Sequence, residues 1–211
     1  MLSDAPLVTA IMPTRGRTIW AHQALQMFLD QSYPNKEIVV VDDLDERSFS
    51  VTPDFPGVRY QLLETRKTIG EKRNIANGRA TGQIIMHWDS DDLYTPDRME
   101  HQVEMLLSSG ADMVGYNRMT FVDQERDKRY IYIGSTYYMI GVSLCYWRRV
   151  WEQCGFKSKN VGEDNEFFLG RNLRTATCDA GDRIIARIHA GNSFDKWALA
   201  IQRDPAQWIA C

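Results

Sequence analysis

The sequence lacks several features that would place it outside the ordinary globular proteins. None of its apolar runs approaches the roughly 20 residues needed to span a bilayer. Its first residues include Asp4 and no apolar core, so we expect no secretion signal. It contains only four cysteines, none in a CxxC pair, which argues against a zinc site. We therefore expect reduced thiols and a cytoplasmic protein, free or peripheral to a membrane.

Further absences exclude other classes of protein. There is no GxGxxG fingerprint, which disfavours a nicotinamide-dependent dehydrogenase. There is no internal repeat and no Pro/Gly/Ser-rich linker, so we expect a single domain. The net charge is −3, which argues against a protein that coats nucleic acid. The 44% of apolar residues and 25% of charged residues are typical of a folded chain with a sizeable core.

Apolar segments alternate with amphipathic ones in the first half of the chain. We predict strands at 7–12, 37–41, 58–63 and 83–88, and helices at 18–31, 70–79 and 96–107. This alternation is typical of an α/β fold with a mainly parallel, Rossmann-like sheet flanked by helices. The second half is less regular and predicts a smaller mixed extension. Its strands are predicted at 130–134, 143–147 and 183–188, and its helices at 148–154, around 163–171 and in a tail at 194–210.

Polar clusters follow three of the predicted strands, at 14–17, 42–43 and 89–92. Ligands of parallel sheets bind at the carboxyl ends of the strands. Asp89, Asp91 and Asp92 would repel one another unless a cation neutralised them, and such oxygen ligands suit Mg²⁺ or Mn²⁺. The ordinary alternative is an acidic start to the next helix.

Other segments also carry candidate binding residues, and each has an alternative explanation that involves no ligand. Asp42 and Asp43 could accept hydrogen bonds from a pyrimidine imide or a ribose, or lie in a solvated turn. Residues 66–74 surround Gly70 with basic side chains that would suit a pyrophosphate, or form a solvated helix face. Residues 163–166 could supply a general base or an acidic helix start. His189 could bind a metal or phosphate, or simply pack at the surface.

Together these segments resemble a family 2 glycosyltransferase of the GT-A fold. The resemblance lies in 8–14, 29–43, 70–77, 88–98 and 162–164. It implies one catalytic domain over 1–211, with a nucleotide-sugar-binding half at 1–110. The acceptor-side half and the helical tail would then occupy 111–211, and the tail would cap the pocket or pack against a second copy of the chain.

The resemblance also implies site residues. The nucleotide-binding residues would be Pro13, Thr14, Arg15, Asp42, Asp43, Gly70, Arg73, Asn74 and Asp89. Asp89 and Asp91 match a D-x-D motif that would hold Mn²⁺ or Mg²⁺, with Asp92 as a neighbouring candidate and His189 completing the metal shell. Asp164 would be the general base.

The reaction implied by the resemblance is a single inverting displacement. A sugar would pass from a nucleotide diphosphate, most simply a UDP-sugar, to the hydroxyl of a carbohydrate or another acceptor. The aromatic stretches 137–139 and 146–147 would form either an acceptor wall or part of the core.

Two other functions compete with this interpretation. A nucleotidyltransferase that makes a sugar nucleotide would share the sheet and the metal, but it needs a glycine-rich loop where this chain has only Gly16. A non-catalytic nucleotide-sugar-binding module would have no need of the three aspartates Asp89, Asp91 and Asp164. A glycosyltransferase acting on a modified DNA base is disfavoured by the acidic net charge, despite the small basic patch at 126–129.

Overall fold

The computed structural model describes residues 5–50, 52–192 and 207–210. Within these ranges the chain forms eleven β-strands and five α-helices. The strands are β1 (Val8–Pro13), β2 (Lys36–Asp43), β3 (Val58–Leu63), β4 (Ile84–His87), β5 (Leu93–Tyr94), β6 (Met113–Asp123), β7 (Lys128–Ile133), β8 (Cys145–Trp147), β9 (Thr175–Asp179), β10 (Ile184–Ile188) and β11 (Trp208–Ala210). The helices are α1 (Thr18–Leu29), α2 (Ile69–Arg79), α3 (Arg98–Ser109), α4 (Arg148–Gln153) and α5 (Glu163–Phe168).

The first half of the sheet is parallel, in the order β3-β2-β1-β4. Its central strands each contain a continuous apolar run, as expected for strands that are covered on both faces. In β1, Ala10 and Met12 belong to one core cluster, whereas Ile11 between them belongs to a second cluster on the opposite face. Parallel strands end at the same edge of a sheet, so the polar clusters after β1, β2 and β4 lie along one rim.

The second half of the sheet is built around β6. This strand pairs antiparallel with β7 and β8 and parallel with β9 and β10. Sequence reasoning predicted no strand at Met113–Asp123, although at 11 residues it is longer than any strand that was predicted. A parallel half with a mixed extension confirms the α/β fold class.

The predicted helical tail is wrong where it can be compared with the structure. Residues 194–206 lie outside the described residues, and Trp208–Ala210 forms β11, antiparallel to β7. The edge of β7 offers backbone hydrogen-bonding groups that a helix could not satisfy. The ring of Trp208 packs 4.8 Å from that of Phe121 and 5.0 Å from that of Tyr132, measured between centroids.

One ion-pair cluster at the start of β6 yields a stability prediction. Hydrogen bonds and ion pairs, first with Arg174 and then with Arg149, lower the pKa of Asp112 from 3.8 to about 2. A lowered pKa stabilises the fold above the unfolded value and is lost as the pH falls towards the folded value. Because both arginines are largely exposed, we expect Asp112→Asn to reduce the free energy of unfolding by only about 1 kcal/mol at pH 7.

This effect is measurable by urea unfolding at pH 7 and at pH 3, where the difference between the variant and the wild type should shrink. Asp182→Asn, which changes an exposed aspartate, is the control and should have no effect at either pH. A difference that grows towards pH 3 would contradict this assignment.

No helix in the described ranges is both long enough and apolar enough to cross a bilayer.

Candidate active site

A cleft of about 700 Å³ opens along the rim where β1 and β4 end. Its other walls are the start of α2, the 3₁₀ turn Gly141–Ser143 and the start of α5. This volume is typical of sites that bind small molecules. Seven of the predicted site residues line the cleft: Pro13, Thr14, Arg15, Arg73, Asp89, Asp91 and Asp164.

Asp91 is the most heavily engaged carboxylate of the cleft. Its Oδ2 lies 2.9 Å from Nε2 of His189 and 3.2 Å from Nη1 of Arg17. Asn192 also donates to this oxygen at 3.3 Å, and the His189 ring packs 4.2 Å from that of Trp20. The structure therefore places His189 directly against Asp91, and metal binding by the two residues stays a prediction. Sequence reasoning placed Arg17 in the polar cluster at 14–17, on the same rim as Asp91, but did not name it as a site residue.

Asp92 faces a neighbouring strand. Its Oδ1 accepts a hydrogen bond of 2.9 Å from the backbone N–H of Arg187 in β10, and Nη1 of Arg187 donates to the backbone carbonyl of Asp91 at 2.8 Å. These bonds hold the end of the acidic segment 89–92 against β10.

Arg73 links the two acidic parts of the cleft. It is buried on α2, and its guanidinium pairs with Glu163 on α5 and, at 3.3 Å, with Oδ1 of Asp89. Burial raises the pKa of the Glu163 carboxyl, although the Arg73 charge opposes this shift. Glu163 was not singled out from the sequence, because an acidic helix start explained it equally well. The structure makes it the partner that holds Arg73 beside Asp89.

Asp164 lies on the first turn of α5, with its side chain in the cleft. Gly162 precedes the helix with a φ of +72°, a conformation that favours glycine. Oδ1 of Asp164 accepts a hydrogen bond of 2.8 Å from the backbone N–H of Asn165. Oδ2 lies so close to Gly141 that a β-carbon built on that glycine would be 1.7 Å away.

Asp42 and Asp43 are buried below the cleft and are not among its lining residues. Oδ2 of Asp42 accepts hydrogen bonds from the N–H of Ser48 at 2.7 Å and the hydroxyl of Tyr60 at 2.9 Å. Oδ2 of Asp43 lies 2.5 Å from Nζ of Lys72. Lys72 itself lines the cleft, so the cation that pairs with Asp43 lies at the cleft instead of the Asp43 carboxylate.

Gly70 and Asn74 also lie away from the cleft lining. A β-carbon on Gly70 would be 1.9 Å from the carbonyl oxygen of Lys157, so the glycine permits close packing of α2 on that loop. The Asn74 side chain accepts from Nε1 of Trp151 and from the N–H of Phe156, and donates to the Phe156 carbonyl at 2.8 Å. Both residues hold the loop before α5, and nucleotide binding by them stays a prediction.

The donor set of the cleft suits a hard divalent cation. Within the described ranges, no three His, Cys, Asp or Glu side chains form a ready-made metal cluster. Mg²⁺ and Mn²⁺ commonly bind through one or two carboxylates, with phosphate oxygens completing their shell. Asp89 and Asp91 supply two such carboxylates in one cleft, and His189 lies beside the second.

Comparison with known proteins places this site in a family. Residues 9–170 match the model described as Glycosyl transferase family 2. The chain is 34% identical over 115 residues to the Escherichia coli UDP-Glc:alpha-D-GlcNAc-diphosphoundecaprenol beta-1,3-glucosyltransferase WfgD, covering 53% of this chain and 45% of WfgD. It is 28% identical over 126 residues to TuaG of Bacillus subtilis, covering 56% of this chain and 50% of TuaG. The chain thus spans about half the length of these curated relatives.

Solved structures share the fold at lower sequence identity. The S. aureus TarS fragment 1–349 in complex with UDP has a TM-score of 0.67 and 18% identity, over 86% of this chain and 60% of that fragment. The mannosyltransferase PcManGT from Pyrobaculum calidifontis, in complex with GDP-Man and Mn²⁺, has a TM-score of 0.64 and 20% identity, over 90% of this chain and 59% of that protein. These likenesses confirm the GT-A fold. Because the family match covers most of the chain, the protein belongs to glycosyl transferase family 2.

Proposed function

We propose that this protein transfers a sugar from a UDP-sugar to an acceptor hydroxyl with inversion of configuration. The observation that carries the proposal is the joint position of Asp89, Asp91 and Asp164 in one cleft. The first two carboxylates follow a strand of the parallel half, and the third begins a helix of the second half. In a reaction between a diphosphate donor and a nucleophile, the group that binds the diphosphate and the group that activates the nucleophile must lie in the same cleft.

Cations suited to a diphosphate surround the acidic centre. Arg17, Arg66, Lys67 and Lys72 all line the same cleft. Guanidinium and ammonium groups offset phosphate charge, and their position at the ends of β1 and α2 favours a nucleotide that lies along this rim. UDP is the nucleotide in the TarS complex and in the donor for which WfgD is named, and this supports UDP over other nucleotides.

Asp164 is the group that we propose as general base. Its carboxylate would accept the proton of the acceptor hydroxyl as that oxygen attacks the anomeric carbon. The new bond joins the acceptor oxygen to this carbon, while the bond from the carbon to the phosphate oxygen breaks and UDP leaves with the electron pair. A single displacement of this kind inverts the anomeric centre without a covalent enzyme intermediate.

Asp89 and Asp91 would hold Mn²⁺ or Mg²⁺, with His189 beside them. When bound, such a cation withdraws negative charge from a departing diphosphate. The ion pair between Arg73 and Oδ1 of Asp89 holds the Asp89 carboxylate at the cleft.

Aromatic side chains form the wall of the cleft on the other side of Asp164. This wall consists of Phe121, Tyr132, Tyr138 and Trp208. Burial raises the pKa of the Tyr138 hydroxyl, and the nearby negative charge of Asp164 raises it further. Aromatic faces stack on the apolar faces of sugar rings, so we propose a carbohydrate acceptor. The name of WfgD, whose acceptor carries GlcNAc, supports this choice.

The direct test measures UDP release from UDP-glucose and UDP-GlcNAc, with water as the acceptor. We expect slow release with Mn²⁺ or Mg²⁺, loss of release in EDTA, and recovery when the metal is returned in excess. Calorimetry should show tighter UDP binding with Mn²⁺ than in EDTA.

A chain kept in EDTA and then dialysed against EDTA-free buffer with Mn²⁺ is the control for damage by the chelator. Full turnover in EDTA would contradict the metal role. Release of pyrophosphate from a sugar phosphate and UTP would instead favour a nucleotidyltransferase, and binding without any turnover would favour a binding module.

A further inference from the structure

Three buried polar side chains support the turn against which Asp164 lies. Nδ1 of His87 donates to the carbonyl of the first residue of the turn Gly141–Ser143, at 2.7 Å. Nη2 of Arg98 donates to the second carbonyl at 3.0 Å, and Nε2 of Gln102 donates to the third at 2.6 Å. All three side chains are fully buried. Every carbonyl of the turn therefore accepts a bond from a different side chain below it.

The three supporting residues are also joined to one another through Arg98. Nη2 of Arg98 donates to the backbone carbonyl of His87 at 2.6 Å, and its Nε donates to Oε1 of Gln102 at 3.1 Å. His87 ends β4, two residues before Asp89, whereas Arg98 and Gln102 lie one turn apart on α3. The cluster thus connects the end of β4, which precedes Asp89, to the turn that lies beside Asp164.

Burying this cluster is costly for the fold. The Arg98 guanidinium makes its hydrogen bonds to carbonyl and amide oxygens and lies 4.8 Å from the ring centroid of Trp88 and 4.6 Å from that of Tyr94. Among the described residues, its Nη1 and Nε2 of His87 are buried without a hydrogen-bond partner. Buried cations and unpaired polar atoms destabilise a fold relative to apolar side chains of similar size. Such departures are expected where function requires them.

The turn acts on Asp164 through direct contact. Gly141 leaves so little room that a β-carbon would overlap Oδ2 of Asp164. A displacement of the turn by about 1 Å would therefore displace the carboxylate or leave it without its backing, and misplacement on this scale costs on the order of 100-fold in rate. The residues on either side of the glycine, Ile140 and Val142, line the same cleft.

We propose that His87, Arg98 and Gln102 are positioning residues for Asp164, acting through the turn Gly141–Ser143. This inference rests on the proposed function, because it takes Asp164 as the base. It assigns a role to three buried side chains that are not among those lining the cleft. The role predicts a loss of turnover with little change in donor binding, which a merely structural role would not produce.

The test compares His87→Phe with His87→Asn. The phenylalanine fills the space but removes the donor to the turn, whereas the Asn amide places an N–H near the position of Nδ1. For UDP release from UDP-glucose or UDP-GlcNAc, we expect kcat to fall about 10- to 100-fold in His87→Phe, with KM within about 2-fold of the wild type. We expect His87→Asn to recover most of kcat.

His101→Phe is the matched control. His101 is a partly buried histidine on α3. Its Nδ1 lies 2.9 Å from the hydroxyl of Tyr116 and, within the described ranges, makes no hydrogen bond with the turn Gly141–Ser143. We expect this variant to lower the melting temperature without changing kcat. If His87→Phe does not fold, Gln102→Leu removes the bond to the third carbonyl and should give the same loss of kcat at constant KM.

Unchanged turnover in the folded His87→Phe or Gln102→Leu variant would overturn the inference and leave the proposed function intact. Equal losses in His87→Phe and His87→Asn would also overturn it, since the donated hydrogen bond would then be irrelevant. A wild-type chain that releases no UDP would instead overturn the proposed function, and this inference with it.

Discussion

Asp164→Asn is expected to abolish sugar transfer while leaving UDP binding nearly unchanged. The amide cannot accept the proton of the acceptor hydroxyl, and loss of a general base typically costs 10²- to 10⁴-fold in rate. The proposed donor-side groups do not depend on this side chain, because Asp89 is held by Arg73 and Asp91 by Arg17 and His189. The measurement is kcat for UDP release, together with the Kd of UDP from calorimetry.

Glu166→Gln is the matched control for this variant. Glu166 lies on the same helix, but its side chain is half exposed and pairs with Lys159. We expect wild-type kcat in this variant, since its carboxylate is not a lining residue of the cleft. Turnover that survives in Asp164→Asn would contradict the base assignment. Loss of UDP binding together with turnover would show that Asp164 acts on the donor instead.

The parallel half of the fold could be predicted because its signals are local. A strand buried on both faces is a continuous apolar run, and β1, β2 and β4 each show one before a polar cluster. β6 gave no such signal, because Gly115, Asn117 and Arg118 interrupt its apolar residues. The glycine is needed there, since a β-carbon would lie 2.8 Å from Cβ of Met139. Tertiary packing therefore determines that this segment is a strand, although its local sequence does not indicate one.

The residues of the cleft were easier to predict than their partners. Asp89 and Asp91 were found because carboxylates directly after a buried strand form a short pattern, whereas Asp164 was chosen among 163–166 through the family resemblance. The partners of these groups are distant in sequence: His189 lies 98 positions from Asp91, and Glu163 lies 90 positions from Arg73. No local pattern reports such pairs.

The sequence also did not show in which direction each side chain of a polar segment points. Arg73 and Asn74 were both predicted to bind the nucleotide. In the helix, Lys72 and Arg73 line the cleft, whereas Asn74 turns towards Trp151 and Phe156. Successive residues of a helix are about 100° apart, so a run of three cannot share one face. Lys72, which carried no individual prediction, thus stands where Asp43 was expected.

Gly141→Ala is expected to have the second-largest effect on activity. Gly141 has no left-handed backbone conformation, so an alanine there is not strained in φ. Its β-carbon, however, would lie 1.7 Å from Oδ2 and 2.7 Å from Cγ of Asp164. One of the two must move, and the turn is held from below by three hydrogen bonds. We therefore expect the carboxylate to be displaced, with a loss of about 100-fold in kcat.

Gly78→Ala separates this contact from the general effect of a methyl group. Gly78 lies in α2, where the nearest atom to a built β-carbon is a ring carbon of Trp151 at 3.8 Å. That substitution should leave kcat unchanged and stabilise the helix by roughly 0.5–1 kcal/mol. The decisive comparison is between Asp164→Asn and the double variant Gly141→Ala/Asp164→Asn. If Gly141 acts only through the base, adding the alanine to Asp164→Asn should reduce kcat no further. A loss that multiplies across the two substitutions would mean that the turn contributes to the reaction by a route independent of Asp164.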